Sequence, residues 1–319
     1  MNTITKDICY DAACMVVTRQ EASVSSLMRL LDVNNEEAKI LMNKLNGAKV
    51  IGPVSDDGTA EVLITDFGKL DELSLVLSPP KSLCSGKIRQ ILDSTEFLDN
   101  NAEIPLLIGQ KSDGRPEIID LVNAKNILVA GAPGQGKSKF LDSMWDSMLG
   151  KVIQDKVQVF YLNSDNEIYL VYQSMLWINY VYSALESRYN MFRECGIRSV
   201  REYNEQNREE GMPYIVIVFD EYTILQDSPL KKTVLKLAQK GPRVGIHIIM
   251  STSHPSVNVI SNKIKTLFPT RIAFKTRTRV DSRTILDTYG AEELPGYGYM
   301  LLLYNVELTR LKGVFTDTL

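Results

Sequence analysis

Histidine and cysteine are scarce in this sequence, with two histidines and four cysteines in 319 residues. Cys9, Cys14, Cys84 and Cys195 stand neither in a CxxC pair nor at zinc-ribbon spacing. The sequence therefore supports neither a metal cluster nor a disulfide framework, and the four are expected as buried thiols. Long hydrophobic runs are missing too. Even IVIVF (215–219) and YMLLLY (299–304) end after the length of a strand. A bilayer needs roughly 20 apolar residues, so no transmembrane segment is expected. The first residues, MNTITKDICYDAA, carry charge where a secretory signal requires an apolar core, which favours the cytoplasm. An excess of positive charge is the third absence. A formal net charge of −3 argues against a general polyanion binder, while leaving room for a local basic surface. With 44% hydrophobic residues, the chain has enough apolar material for one large unit and a smaller one.

Residues 6–65 show three short helical patterns, near 7–18, near 23–31 and within NNEEAKILMNKLNGAKVIG (34–52). VSDDGTAEVLI (54–64) follows and reads as a hairpin. Three helices and a two-stranded wing make a winged helix, in which SVSSLMRLLDV and NNEEA form a helix-turn-helix. The expected division is a winged helix over 1–66, a connector over 67–100 and a P-loop domain over 101–319. The connector is broken at Pro79 and Pro80 and carries one helix at GKIRQILDSTEFLD. In the last domain a hairpin over 104–121 turns at KSDGRP. Apolar strands at 126–130, 157–162, 214–221, 245–252, 270–276 and 298–304 then come in series, with helices at 137–149, through SALESRYNMFREC and at 230–240. Such alternation implies an α/β fold built on a parallel sheet covered on both faces.

Chemistry concentrates at two strand ends. GAPGQGKS (131–138) satisfies GxxxxGK[ST] in full, between a strand and a helix. Backbone N–H groups of such a loop, together with a helix N-terminus, cradle nucleotide phosphates. Gly131, Ala132, Pro133, Gly134, Gln135, Gly136, Lys137, Ser138 and Lys139 are the expected ATP-binding residues, with Lys137 on the β/γ-phosphates and Ser138 on Mg²⁺. The strand YIVIVF ends in Asp220 and Glu221, at the edge where α/β ligands bind. Asp220 is the expected Mg²⁺ partner and Glu221 the base that orients the attacking water. Arg243, Arg271 and Arg283 are candidates for an arginine supplied to a neighbouring subunit's nucleotide, each with a surface or salt-bridge role as the alternative. His247, His254, Trp145 and Trp177 read as structural.

The second half resembles the FtsK/SpoIIIE family of double-stranded DNA translocases. The resemblance runs from about Ile88 to the end through NILVAGAPGQGKS, ESRYNMFRECGIRSVREYNE, MPYIVIVFDE, KLAQKGPRVGIHIIMSTSHPSVNVISNKIKTLFPTRIAF and VDSRTILDTYGAEELPGYGYML. Residues 6–65 separately resemble that family's γ domain, a winged helix that reads short oriented DNA sequences. The resemblance implies a RecA-like ATPase that assembles as a homo-hexamer around duplex DNA and pumps it with ATP. It also makes Asp220 and Glu221 the Walker B pair and STSHPS (251–256) the sensor strand. Ser253 stands where the family usually has Gln and His254 where it has Arg. Pro242 falls where the family has an arginine, with Arg243 one position later. The γ-like segment comes first rather than last, and no membrane tether is carried over. Its reading helix opens Asn34-Asn35-Glu36-Glu37-Ala38 where the family has GYNRA. Through Asp66 the segment holds six basic residues against ten acidic ones, which disfavours DNA phosphates and leaves packing against the motor, contact with a partner protein, or a relic as the expected roles, with residual DNA reading through the wing as the lesser alternative. Two alternatives stay open: an ATP-binding accessory subunit with weak hydrolysis, and a HerA- or VirD4-like pump of protein or nucleoprotein.

Overall fold

A computed structural model of the chain describes residues 12–63 apart from 14, 18, 32 and 48, and residues 86–148, 157–162, 167–208, 210–225 and 228–314. Two compact units divide the chain, Met1–Ser82 and Leu83–Leu319.

In the first unit the described part of 12–19 is helical up to Arg19, and the start of the pattern expected near 7–18 lies outside the described residues. Helices Val24–Leu31 and Asn35–Gly47 pack on each other. Ala38, Leu41, Met42 and Leu45 are buried at the i, i+3, i+4, i+7 spacing that puts them on one face. Glu37 closes a capping box at the start of this helix. Its amide donates to Asn34 Oδ1 at 2.9 Å, and its carboxylate accepts from the Asn34 amide at 3.0 Å. The acidic opening of the helix thus has a local structural use. Strand β1 (Ala22–Ser23) pairs antiparallel with β2 (Thr59–Ala60). Gly52 N donates to Glu61 O and Leu63 N to Val50 O, so the hairpin begins at about Val50, earlier than the expected 54.

The second unit opens with two short helices, Gly86–Leu92 and Thr95–Leu98, where the sequence suggested one. The break is at Ser94, whose hydroxyl donates to Ile91 O and accepts from the Phe97 amide, capping the second helix. Among the described residues nine strands then form one sheet: β3 (Pro105–Gln110), β4 (Pro116–Asp120), β5 (Ile127–Ala130), β6 (Val157–Leu162), β7 (Tyr214–Phe219), β8 (Ile246–Thr252), β9 (Thr270–Phe274), β10 (Tyr299–Tyr304) and β11 (Glu307–Lys312). Their spatial order is β4-β3-β11-β10-β9-β5-β8-β7-β6. Pairings from β9 through β6 are parallel, while β10, β11, β3 and β4 join antiparallel. The sheet is therefore mixed, and the expectation that 298–304 continues a parallel series is corrected. Although helix Arg279–Leu286 intervenes, β10 returns antiparallel beside β9 and hands directly to β11.

Strands β5, β7 and β8 are buried along their whole length, which requires cover on both faces. Helix Leu230–Lys240 supplies part of it, burying Leu230, Val234, Leu237 and Ala238 and packing on β8 and on helix Glu167–Cys195. Asn126, just ahead of β5, ties this layer to the sheet. Its amide nitrogen donates to Ala238 O and Leu267 O at 2.8 Å, and its oxygen accepts from Ile248 N at 2.9 Å. Arg188 does the same from the long helix, donating to Val244 O and Pro213 O; burial lowers its pKa to about 10. Cys195 is exposed, correcting its expected burial: it is the last residue of that helix, and Cys9, Cys14 and Cys84 lie outside the described residues. Among the described residues no helix is long and apolar enough to cross a membrane.

Candidate active site

Four adjacent strands, β9, β5, β8 and β7, run parallel and end at the same edge of the sheet. Each delivers something to that edge. β5 runs into Gly131–Lys139, β7 into Asp220 and Glu221, β8 into Ser253 and β9 into Lys275.

The loop after β5 is held by its neighbours. Gly131 N donates to Thr252 O at 3.3 Å and Ala132 N to Lys275 O at 2.9 Å, so strands on both sides anchor it. Only glycine fits at 131: a Cβ there would stand 2.7 Å from Phe274 Cβ. Phe274 in turn meets Phe140 edge-on, 5.5 Å between ring centroids, at the start of helix Lys137–Met148. Lys137 is buried, and its ammonium donates to Gly131 O and Ala132 O at 3.0 Å each, so the loop is wrapped around its own cation. Burial pulls the Lys137 pKa down, and the nearby carboxylates of Glu221 and Asp220 work against that pull. Ser138 and Lys139 are exposed at the helix N-terminus.

Across β8, the two carboxylates are positioned differently. Asp220 Oδ1 accepts from Ser251 Oγ at 3.0 Å, and the same Ser251 oxygen accepts from Glu221 N at 3.1 Å. Ser251 is fully buried; it opens the STSHPS segment read as the sensor strand, and nothing local marks it as the link between the two carboxylates. Glu221 has φ 81°, left-handed backbone that a non-glycine residue adopts at a cost of about 1 kcal/mol or more. Its carboxylate accepts from the Thr223 hydroxyl and, at 2.8 Å, from Ser253 N. Burial pushes the Glu221 carboxyl up, but these bonds outweigh it and hold the group below its ordinary value, hence ionised at neutral pH.

Together these residues line a cleft of about 560 Å³: Pro133, Gly134, Gln135, Gly136, Lys137, Ser138, Lys139, Asp220, Glu221, Ser253, Tyr297 and Gly298. Gly131 and Ala132 lie behind it, as the loop's anchors. Tyr297 and Gly298 carry no motif and were not expected there.

None of the three candidate arginines lines the cleft. Arg271, near the start of β9, lies toward the far edge of the sheet with its side chain 12% exposed; it donates to Ile285 O at 2.8 Å and pairs with Asp287 at 2.6 Å. Its salt-bridge alternative is the one realised. Arg243 is exposed in the turn Gly241–Val244 before β8, donates to Arg198 O and lies 5.7 Å from the Tyr189 ring centroid. Arg283 is exposed on helix Arg279–Leu286. His247 is buried, with Nδ1 2.7 Å from Lys125 O.

Ser138 and Asp220 both line the cleft and offer a cation one hydroxyl and one carboxylate. Among the described residues no group of three or more His, Cys, Asp or Glu side chains forms a cage. One hydroxyl and one carboxylate, completed by phosphate oxygens and water, is the donor set Mg²⁺ takes in phosphoryl-transfer sites.

Residues 87–166 match the FtsK/SpoIIIE family. The DNA translocase FtsK of Chlorobaculum tepidum is 29% identical over 303 residues, covering 86% of this chain and 36% of the relative. The DNA translocase SftA of Bacillus subtilis is 32% identical over 254 residues, covering 72% of this chain and 27% of the relative. The chain thus spans about a third of the length of these relatives. The pCW3 conjugation coupling protein TcpA, solved in a monomer form with ATPγS, shares the fold with a TM-score of 0.61 at 19% identity, over 88% of this chain and 82% of that one. The cleft is therefore that of a P-loop ATPase fold, in a chain that is similar to the FtsK/SpoIIIE family and matches that family's model through residues 87–166.

Proposed function

We propose that the chain is an ATP-driven translocase of double-stranded DNA, acting as a ring of identical subunits. The observation that carries this reading is the pairing of a complete phosphate loop with an ionised, firmly held Glu221 on the same sheet edge. Relatives named as DNA translocases supply the substrate.

The residues divide the work. Backbone N–H groups of Gly134 through Ser138 face the phosphates, and Lys137 neutralises their charge. Ser138 and Asp220 hold Mg²⁺, which supplies charge neutralisation on the phosphates when bound. Glu221, kept anionic by Thr223 and Ser253, orients water for attack. Because the Ser253 amide already bonds Glu221, movement of the strand end on phosphate release would reach the catalytic carboxylate directly, without the side chain the family usually places there. An arginine from the neighbouring subunit completes the site, and a homo-hexamer is the assembly. Arg243 and Arg283, both exposed, are the candidates for it, since Arg271 is held by Asp287. The N-terminal segment is read as a winged helix whose acidic surface suits a protein partner better than DNA phosphates.

The test is the steady-state ATPase rate of the full chain with and without linear duplex DNA. Stimulation by the duplex is expected. A measurable rate indifferent to DNA would favour the protein-pump alternative, and no rate at all the accessory one.

A further inference from the structure

Tyr297 is the one residue at the cleft whose conformation is costly and whose ring gains nothing in return among the described residues. Tyr299 N donates to Gly296 O at 3.0 Å, and Tyr297 and Gly298 have φ 51° and 85°. Positive φ at both central positions defines a type I′ turn, in which glycine, asparagine or aspartate is favoured. A tyrosine at the first of them holds left-handed backbone, normally unfavourable for such a side chain. Burial does not compensate, because Tyr297 is 89% exposed. Its neighbour Tyr299, by contrast, lies under Arg310 and Lys312 at 5.5 Å from each cation.

The turn is fitted to the phosphate loop. A Cβ on Gly296 would stand 2.7 Å from Gln135 Oε1, so backbone and loop side chain are in close approach there. The turn thereby places the exposed Tyr297 at the mouth of the cleft that Lys137, Asp220 and Glu221 line. An exposed aromatic face presented by a tight turn beside a phosphate cradle has an obvious complement in a nucleotide: its planar base. From this we infer that Tyr297 is the platform on which the base of the bound nucleoside triphosphate stacks. The inference rests on the nucleotide-binding reading above and adds the base-contacting residue to it. A flat π-face discriminates little among bases, so the residue confers affinity for nucleotides over bare polyphosphate rather than for adenine over guanine.

The test compares binding of Mg-ATP and of Mg-tripolyphosphate, which lacks a base, to the full chain by calorimetry. Base–aromatic stacking predicts that Tyr297→Ala weakens ATP binding by about tenfold to a hundredfold. Tripolyphosphate affinity and the unliganded melting temperature should stay unchanged, and Tyr297→Phe should keep wild-type affinity. An ATP affinity unchanged in Tyr297→Ala overturns the inference and leaves the ring to another subunit or to DNA. Equal losses of ATP and tripolyphosphate overturn it as well, since they mean that the turn supports the loop rather than the base. Failure of the underlying reading looks different: the wild-type chain itself would bind neither ligand.

Discussion

Glu221→Gln is expected to lower ATP turnover by about 10² or more while leaving nucleotide bound, because it removes the proposed general base but keeps the shape of the side chain. Lys137→Ala should act earlier, weakening nucleotide binding itself. The two variants are separable because the residues are held separately: Lys137 by the carbonyls of its own loop, and Glu221 by Thr223 and Ser253 on the other side of the cleft. The glutamine brings an amide where Thr223 and Ser253 both donate, and at least one of those bonds is disturbed. Melting temperatures measured beside the rates separate that disturbance from chemistry. A folded Glu221→Gln chain that hydrolyses ATP at the wild-type rate would remove the assigned base.

The second large effect is on stability. His247 is fully buried; desolvation depresses its pKa from 6.5 to about 4, and its bond to Lys125 O opposes the shift only in part. The folded-state value lies below the unfolded one. Stability is therefore complete above pH 6.5 and falls as the unfolded chain takes up a proton that the folded chain refuses, down to pH about 4. Two and a half units correspond to about 3 kcal/mol, a large share of the stability of an ordinary domain. Urea midpoints at pH 7, 6 and 5 should fall for the wild type and fall less for His247→Leu, where the group is gone. Leucine leaves Lys125 O without its partner and lowers all midpoints, so the slope and not the level is the readout. Parallel slopes would show that His247 is not held neutral.

What was legible in the sequence was what is local. The phosphate loop is a run of consecutive residues with its glycines at required positions, and β7 is six apolar residues closed by two acids. The long apolar strands announce themselves by composition. β11 did not, for two reasons. Its residues are mostly polar, with Leu311 the buried one, and the hairpin before it turns at Asn305–Val306, both at positive φ, without the glycine that marks such turns. The strand then slots between β10 and β3, which no local pattern specifies. Helix Arg279–Leu286 was missed although its capping box, Thr278 with Asp281, is present in the sequence. Arg271 illustrates the other limit: its partner Asp287 lies sixteen residues on, beyond an intervening helix, and only folding brings them together. The same holds for Ser251, Thr223 and Tyr297, whose roles come from where strand ends and turns meet. Glu36 and Glu37, read as a repulsive surface, divide once the structure is known, since Glu37 caps its own helix.

Directed movement on DNA is the central claim, and strand displacement from a triplex measures it directly. A third strand bound to one end of a linear duplex should be released by the wild-type chain with ATP, and retained with Glu221→Gln or when ATP is replaced by ADP. Retention of the third strand by a wild-type chain that hydrolyses ATP and binds the duplex would contradict the account.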